Sequence, residues 1–553
     1  MQDINGRTGA PDAIWYNGEL LTMDARQPRA RALAVRGGQL LAVGDDADIL
    51  ALAGPRTVRH DLRGRFVMPG LIDSHAHGIM GALRDTIEVY VGLGAKLDVL
   101  LAAVRDRAAK LPPGQWVVGG PWHMRDVEQA GNPRLLLDSI APDHPVCLRD
   151  ATYHTSWLNS AALKLLGLDG TSADPDGGRI GRDDRGAPDG LLYESAQKLV
   201  AEAIVPTAAQ LRAAVTWMHG YLLRYGITAF KEAMANEASL AAYHDADSAG
   251  ELQLHVAAHM ARRPLLEGGI VPFDELDRWR GRYASRHLHT GFIKLFLDGV
   301  APTHTASFLE PYCDDRAAAT RYNPEALLLI DPQTLADELA ELDRRGYTVK
   351  MHAVGDRAVR AGLDAIAATR AANGDSGLRH EIGHTAFVHE DDYRRFAALG
   401  AIAEMSPRLW FPNPVTPGQI RVLGPVRTNR CHQIRSLMAA GALLVYGSDW
   451  PAAAADANPW VGLAGMLTRR NPFGLFDGAV GEGQAITLEQ ALPLFTSQGA
   501  WAMRLEDSIG TLAPGRSADF IVLDRPLAGC SPEQIARTQP RCTVFEGAVV
   551  FEG

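Results

Sequence analysis

At 553 residues the chain is too long for one compact core, and more than one structural unit is expected. Its 46% hydrophobic and 22% charged residues are those of a globular protein, which excludes a disordered, fibrous or low-complexity chain. A formal charge of −10, from 65 acids against 55 bases, argues against a nucleic-acid partner, and no apolar run approaches the roughly 20 residues of a membrane span.

The polar start, Met1-Gln2-Asp3-Ile4-Asn5-Gly6-Arg7, has no apolar segment behind it, so no signal peptide is expected. The cysteines (Cys147, Cys313, Cys431, Cys530, Cys542) are scattered without C-x-x-C spacing, the pattern of reduced thiols. Both features point to a cytoplasmic location with no membrane partner. From about Ala13 to Val67 short apolar runs alternate with turns, and Asn17-Gly18 and Gly37-Gly38 stand where hairpin turns belong. The chain from about Ile509 has the same texture. Residues 12–68 and 501–553 are therefore expected to pair into one small β-sandwich, although the texture alone also fits two separate β modules.

Residues 69–500 carry the rhythm of a parallel barrel. It lapses between about Gly81 and Val200, where Gly, Pro and Asp punctuate the chain, as in Asp174-Pro175-Asp176-Gly177-Gly178-Arg179. An insertion of that length (about 81–200) after the first barrel strand is expected to act as a lid over the active-site mouth. Farther on, Ile293, Leu295 and Leu297 alternate against Lys294, and Thr348, Lys350 and His352 share one face of the next strand. Val359, Leu363, Ile366 and Ala367 then follow at helical spacing. Repeated strand–helix units with polar residues at strand C-ends predict an α/β fold, a (β/α)8 TIM-like barrel with its site at that end.

Five separated fragments each end a predicted strand in a residue suited to metal chemistry: His75 and His77 in one, then Lys294, His352, His384 and Asp449. His75 and His77, one residue apart on a strand, project from the same face and can grip one cation. A metal lowers the pKa of bound water toward neutrality and polarises a carbonyl, and Asp449 is suited to pass the water's proton to a leaving amine. Structural readings stand beside these: Lys294 paired with Asp298, His352 and His384 as core histidines, and Asp449 as a cap.

Pro69-Gly70-Leu71-Ile72-Asp73-Ser74-His75-Ala76-His77 resembles the signature of the metal-dependent amidohydrolase superfamily. Lys294-Leu295-Phe296-Leu297-Asp298-Gly299, His352-Ala353-Val354-Gly355-Asp356-Arg357-Ala358, Ile382-Gly383-His384 and Gly447-Ser448-Asp449-Trp450-Pro451 resemble the branch that includes N-substituted formamide deformylases. The segments 154–163 and 177–182 are also similar to that branch. The resemblance implies that His75 and His77 bind the more buried metal, with Asp449 in contact with it. It implies that Lys294 carries a CO2-derived carbamate bridging two ions, and that His352 and His384 hold the second. Zinc is the first candidate among divalent metals, with one or two ions bound. Lys231, which ends another predicted strand, competes with Lys294 for carboxylation or forms a salt bridge.

Four positions depart from the branch pattern. Gly383 stands for a Glu, Ser406 for a Gln, Thr152-Tyr153-His154 for an Asp-Gly-His sequence, and His123 for an Asp after Trp122. The metal set survives these changes, and the substrate pocket is expected to differ. Trp122, His154, Glu194, Arg408 and Trp410 are the candidate substrate-binding residues by position. Arg408 fits a bidentate contact to a substrate carboxylate, and equally an ion pair with a neighbouring acid. Trp410 and Phe411 fit either an aromatic pocket wall or core packing.

The expected activity is hydrolysis of a C–N bond in a small amide, formamide or N-acyl substrate, with Asp449 as proton shuttle. Ester, lactone or carbamate hydrolysis at the same site is the alternative, and a catalytically silent ligand-binding regulator a third reading. A homodimer is the default assembly.

Overall fold

The computed structural model describes residues 9–92, 95–122, 127, 131–150, 155–175, 178–264, 269–313, 323–452 and 454–553, the side chains of 194, 195 and 303 excepted. The chain forms two units: Met1–Gly78 with Thr216–Arg262 and Val271–Gly553, and Ile79–Val215 with Arg263–Ile270.

Among the described residues the first unit contains an eight-stranded sheet: β1 (Leu71–Ala76), β2 (Ile227–Ala235), β3 (His255–Ala261), β4 (Leu288–Phe296), β5 (Thr348–Ala353), β6 (Glu381–His384), β7 (Ile402–Met405) and β8 (Leu443–Tyr446). They lie side by side in chain order, every pair parallel, in one sheet from β1 to β8. Every residue of β1, β3, β5, β6 and β7 is buried, as a parallel sheet covered on both faces requires. The helix Asp356–Asn373 buries Val359, Leu363 and Ile366 as its spacing predicts.

The two ends of the sheet meet through the segment after β8. The Asp449 amide donates to the His75 carbonyl at 2.7 Å and the His77 amide to the Trp450 carbonyl at 2.7 Å. Gly447 makes this approach possible, since a Cβ there would lie 2.5 Å from the His75 Cβ. The result is a nearly closed TIM-like barrel.

Two further sheets form the β-sandwich. One has the order Gln39–Gly44, Ala32–Arg36, Ala13–Tyr16, Val58–Asp61. The other runs Ala548–Glu552, Cys542–Phe545, Phe520–Leu523, Phe66–Pro69, Glu19–Leu21, Arg29–Ala30, so both ends of the chain share it. Val522 lies opposite Val67 in antiparallel register, and Trp15, Leu20, Leu33, Phe520 and Val544 pack in the core between.

Gly37-Gly38 is a hairpin turn, both residues at positive φ between antiparallel strands. Asn17-Gly18 is not. The strand before it belongs to one sheet and the strand after it to the other, so the chain crosses between layers there, with Leu62 packed where a Gly18 side chain would stand.

The second unit is more regular than its punctuation predicts. It contains a six-stranded mixed sheet, Gly178–Arg182, Pro188–Glu194, Thr155–Leu158, Val146–Asp150, Val117–Trp122 and Val89–Tyr90, over a core that includes Val104, Trp122, Leu137, Leu148 and Trp157. All five cysteines are free, with Cys147, Cys431 and Cys542 buried. Among the described residues no helix is long and apolar enough to cross a membrane.

Candidate metal centre

Register brings the predicted residues to one rim. Phe296 of β4 lies opposite His352 of β5, and Ala353 lies opposite His384 of β6, so the strand ends are level. The His75 ring sits 5.5 Å from His77 and 4.8 Å from His384, and His384 sits 4.4 Å from His352. Asp449 Oδ1 approaches His77 Nε2 at 3.2 Å and His75 Nε2 at 3.5 Å. Ligand atoms of His75, His77 and Asp449, all buried, lie within 4.8 Å of one another. His384, Thr385 and Asp449 have positive φ values of 68°, 44° and 56°. Such backbone is sparsely populated for residues with a side chain and collects at functional sites.

Three imidazoles are anchored through Nδ1. His75 bonds the Glu404 carboxylate, His352 bonds Asp298 Oδ1 at 3.1 Å, and His384 bonds Ser406 Oγ at 3.0 Å. This leaves Nε2 of each as the nitrogen for a ligand, and His75 Nε2 and His77 Nδ1 have no hydrogen-bond partner. Burial, then the positive charge of Lys294 and Lys350, holds His75 well below the usual imidazole range. Burial, then His352 and His75, does the same to His384. Neutral imidazoles with free lone pairs beside a carboxylate fit a divalent ion; the set suits zinc and also manganese, iron, cobalt or nickel.

Lys294 is 1% exposed and its Nζ has no hydrogen-bond partner. Burial, then the Lys350 charge, pulls it down to about 7. Asp298 does not neutralise it. That carboxylate accepts from His352 Nδ1 and from the amides of Ser307, Val354 and Gly355. Lys231 is engaged instead with Glu381 and with the Ala502 carbonyl.

The proposed substrate residues are more dispersed. Arg408 is buried, donating to Asp456 Oδ1 at 2.7 Å and to the Asn458 carbonyl at 2.5 Å. Trp410 is fully buried, its indole donating to the Gly462 carbonyl at 3.0 Å. Trp122 belongs to the second unit, where it bonds the Leu148 carbonyl and packs against Trp157. His154, Thr152, Tyr153, His123, Gly177 and the Glu194 side chain lie outside the described residues. Glu404, Lys350 and Ser406 also contribute to the site; Ser406 carried a signal as a departure from the branch pattern and Lys350 by sharing the His352 face, while Glu404 carried none.

A parallel barrel with imidazoles and a carboxylate gathered at the C-terminal rim defines the metallohydrolase class of (β/α)8 proteins. The chain belongs to the amidohydrolase family, whose sequence profile matches residues 60–551, and is a hydrolase. It is 30% identical to Protein LONG AFTER FAR-RED 3 of Arabidopsis thaliana over 93% of this chain and 87% of that one. It is 29% identical to N-substituted formamide deformylase of Arthrobacter pascens over 98% of each. Its fold is similar to that of an uncharacterized metal-dependent hydrolase from Pyrococcus horikoshii, with a TM-score of 0.76 over 95% of this chain and 99% of that one at 22% identity.

Proposed function

We propose that this hydrolase cleaves the C–N bond of a small amide, formamide or N-acyl compound at a centre where His75, His77, Lys294, His352, His384 and Asp449 hold one or two divalent ions, zinc foremost. The observation that carries the reading is the buried cluster of His75, His77 and Asp449, with Nε2 of His75 and of His77 3.5 Å and 3.2 Å from Asp449 Oδ1, together with a buried Lys294 amine that has no hydrogen-bond partner. The name of the deformylase relative supports the bond type.

A bound divalent ion would supply ionised water near neutral pH and a polarised carbonyl. The neutral Lys294 amine can add to CO2, forming one N–C bond and releasing one proton, and the anionic carbamate then offers oxygens where an ammonium offers none. Asp449 takes up a proton from water and delivers it to the departing nitrogen. Glu404, Asp298 and Ser406 keep the imidazoles aimed.

Elemental analysis of protein purified without chelators, with intact mass in bicarbonate buffer, tests the centre. About two metal equivalents are expected in the wild type, with loss from His75→Ala and Lys294→Ala and disappearance of a CO2 adduct in the latter. A panel of formamides, amides and esters tests the bond. Amine release supports the reading, alcohol release alone moves it to ester hydrolysis, and absence of metal after reconstitution overturns it.

A further inference from the structure

Beneath the rim the barrel interior is charged. Glu404 on β7 is fully buried, with one carboxylate oxygen on His75 Nδ1. Lys350 on β5 stands between carboxylates, its Nζ 3.6 Å from Glu404 Oε2 and 3.4 Å from Glu381 Oε2, and it also donates to the Ser74 carbonyl on β1. Between them on β6 is Gly383, the position where the family pattern places a Glu. A Cβ at Gly383 would lie 3.3 Å from Lys350 Cγ and 3.4 Å from Glu404 Oε2. The backbone there is ordinary, so conformation does not call for glycine. Gly447 on the other side is equally bare, and a Cβ there would sit 2.9 Å from Glu404 Oε1.

We infer that Glu404 is a positioning residue for the metal centre: it fixes the His75 ring with the proton on Nδ1 and the lone pair on Nε2, and it delivers from β7 the carboxylate missing at Gly383 on β6. Lys350 contacts the same oxygen, Glu404 Oε2, at 3.6 Å, and Gly447 leaves the other oxygen its room. A carboxylate on the far nitrogen of a ligating imidazole fixes its tautomer and raises its basicity. The inference rests on His75 being a metal ligand.

The test is Zn2+ affinity by chelator competition, with the Tm of the metal-free protein, for wild type, Glu404→Gln, His75→Ala and the double variant Lys350→Met/Glu404→Gln. The double variant removes both charges together, so the interior stays balanced. Expected are a wild-type Tm for the double variant, full stoichiometry at saturating Zn2+, and roughly 10–100-fold weaker affinity in both Glu404 variants. Wild-type Zn2+ affinity in a folded double variant would reduce Glu404 to the counter-ion of Lys350 and overturn the inference. Wild-type Zn2+ binding by His75→Ala would overturn the metal centre itself. If the double variant does not fold, Glu404→Ser is compared with Gly383→Glu/Glu404→Ser. Recovery of Zn2+ affinity in the second supports the relocated carboxylate, and no recovery counts against it.

Discussion

Lys294 is the residue least suited to remain a bare ammonium. Its pKa of about 7 in the folded chain lies below the roughly 10.4 of an exposed lysine. Between those values the unfolded chain binds the proton that the folded chain has given up, so stability rises with pH there, and the full penalty stands below about 7. In metal-free, bicarbonate-free protein Lys294→Met should therefore stabilise most near pH 6 and progressively less toward pH 10, as urea titrations across that range would show. The buried histidines act lower on the scale. His75 and His384 are neutral when folded, and the unfolded chain protonates them below about 6.5, so metal-free stability should fall with acidification through that value. A flat Tm from about pH 7 to 5 would contradict their burial as neutral rings. Asp449→Asn probes proton transfer when its metal content is measured alongside, since Asp449 also stands among the ligands, and Asn tolerates the left-handed backbone at φ 56°. It should keep the fold and lower kcat by roughly 10²–10⁴-fold.

At the scale of strands and turns, the centre depends on β1 and β8 lying close. Gly447→Ala forces a methyl against His75 Cβ and should cost about 1–3 kcal/mol, with weaker Zn2+ binding than its Tm loss alone explains. Calorimetric melting with chelator competition checks both. The sequence revealed the strands that announce themselves: period-two alternation around Lys294 and His352, and paired histidines after an apolar run. It did not reveal Glu404 or Lys350 as partners. Alternation placed Lys350 on the His352 face without naming what it would meet, because its carboxylate partners lie on other strands, and Glu404 meets His75 across 329 residues of chain. Turn chemistry marked Asn17-Gly18 as a reversal without saying into which sheet the chain would go. The short, mostly antiparallel strands of the insertion were broken by so many turn residues that their shared sheet was invisible. Arg408 and Trp410 were placed by loop position alone, and their bonds to Asp456 and Gly462 come from segments about 50 residues away, which local pattern does not encode.

At the scale of the molecule, the sandwich is fixed to the end of the barrel opposite the metal centre. The Gly70 amide, just before β1, donates to the Asp519 carbonyl, and Asp519 Oδ2 meets His255 Nε2 at 2.9 Å where β3 begins. Phe520 packs edge-on against Trp15 at 5.2 Å. Phe520→Ala should cost about 3–5 kcal/mol by chemical denaturation and leave Zn2+ stoichiometry intact below the transition. Metal loss well before unfolding would show that the sandwich shapes the rim. The shared sheet also has a cost during synthesis. Strand Phe66–Pro69 leaves the ribosome about 450 residues ahead of Phe520–Leu523, and at roughly 5–20 residues per second its open edge waits on the order of 20–90 s. A nascent barrel thus carries an unpaired apolar edge until the last segment emerges, and a message cut short between Ala502 and Phe520 would leave His75, His77 and Asp449 gathered on a foot prone to aggregate.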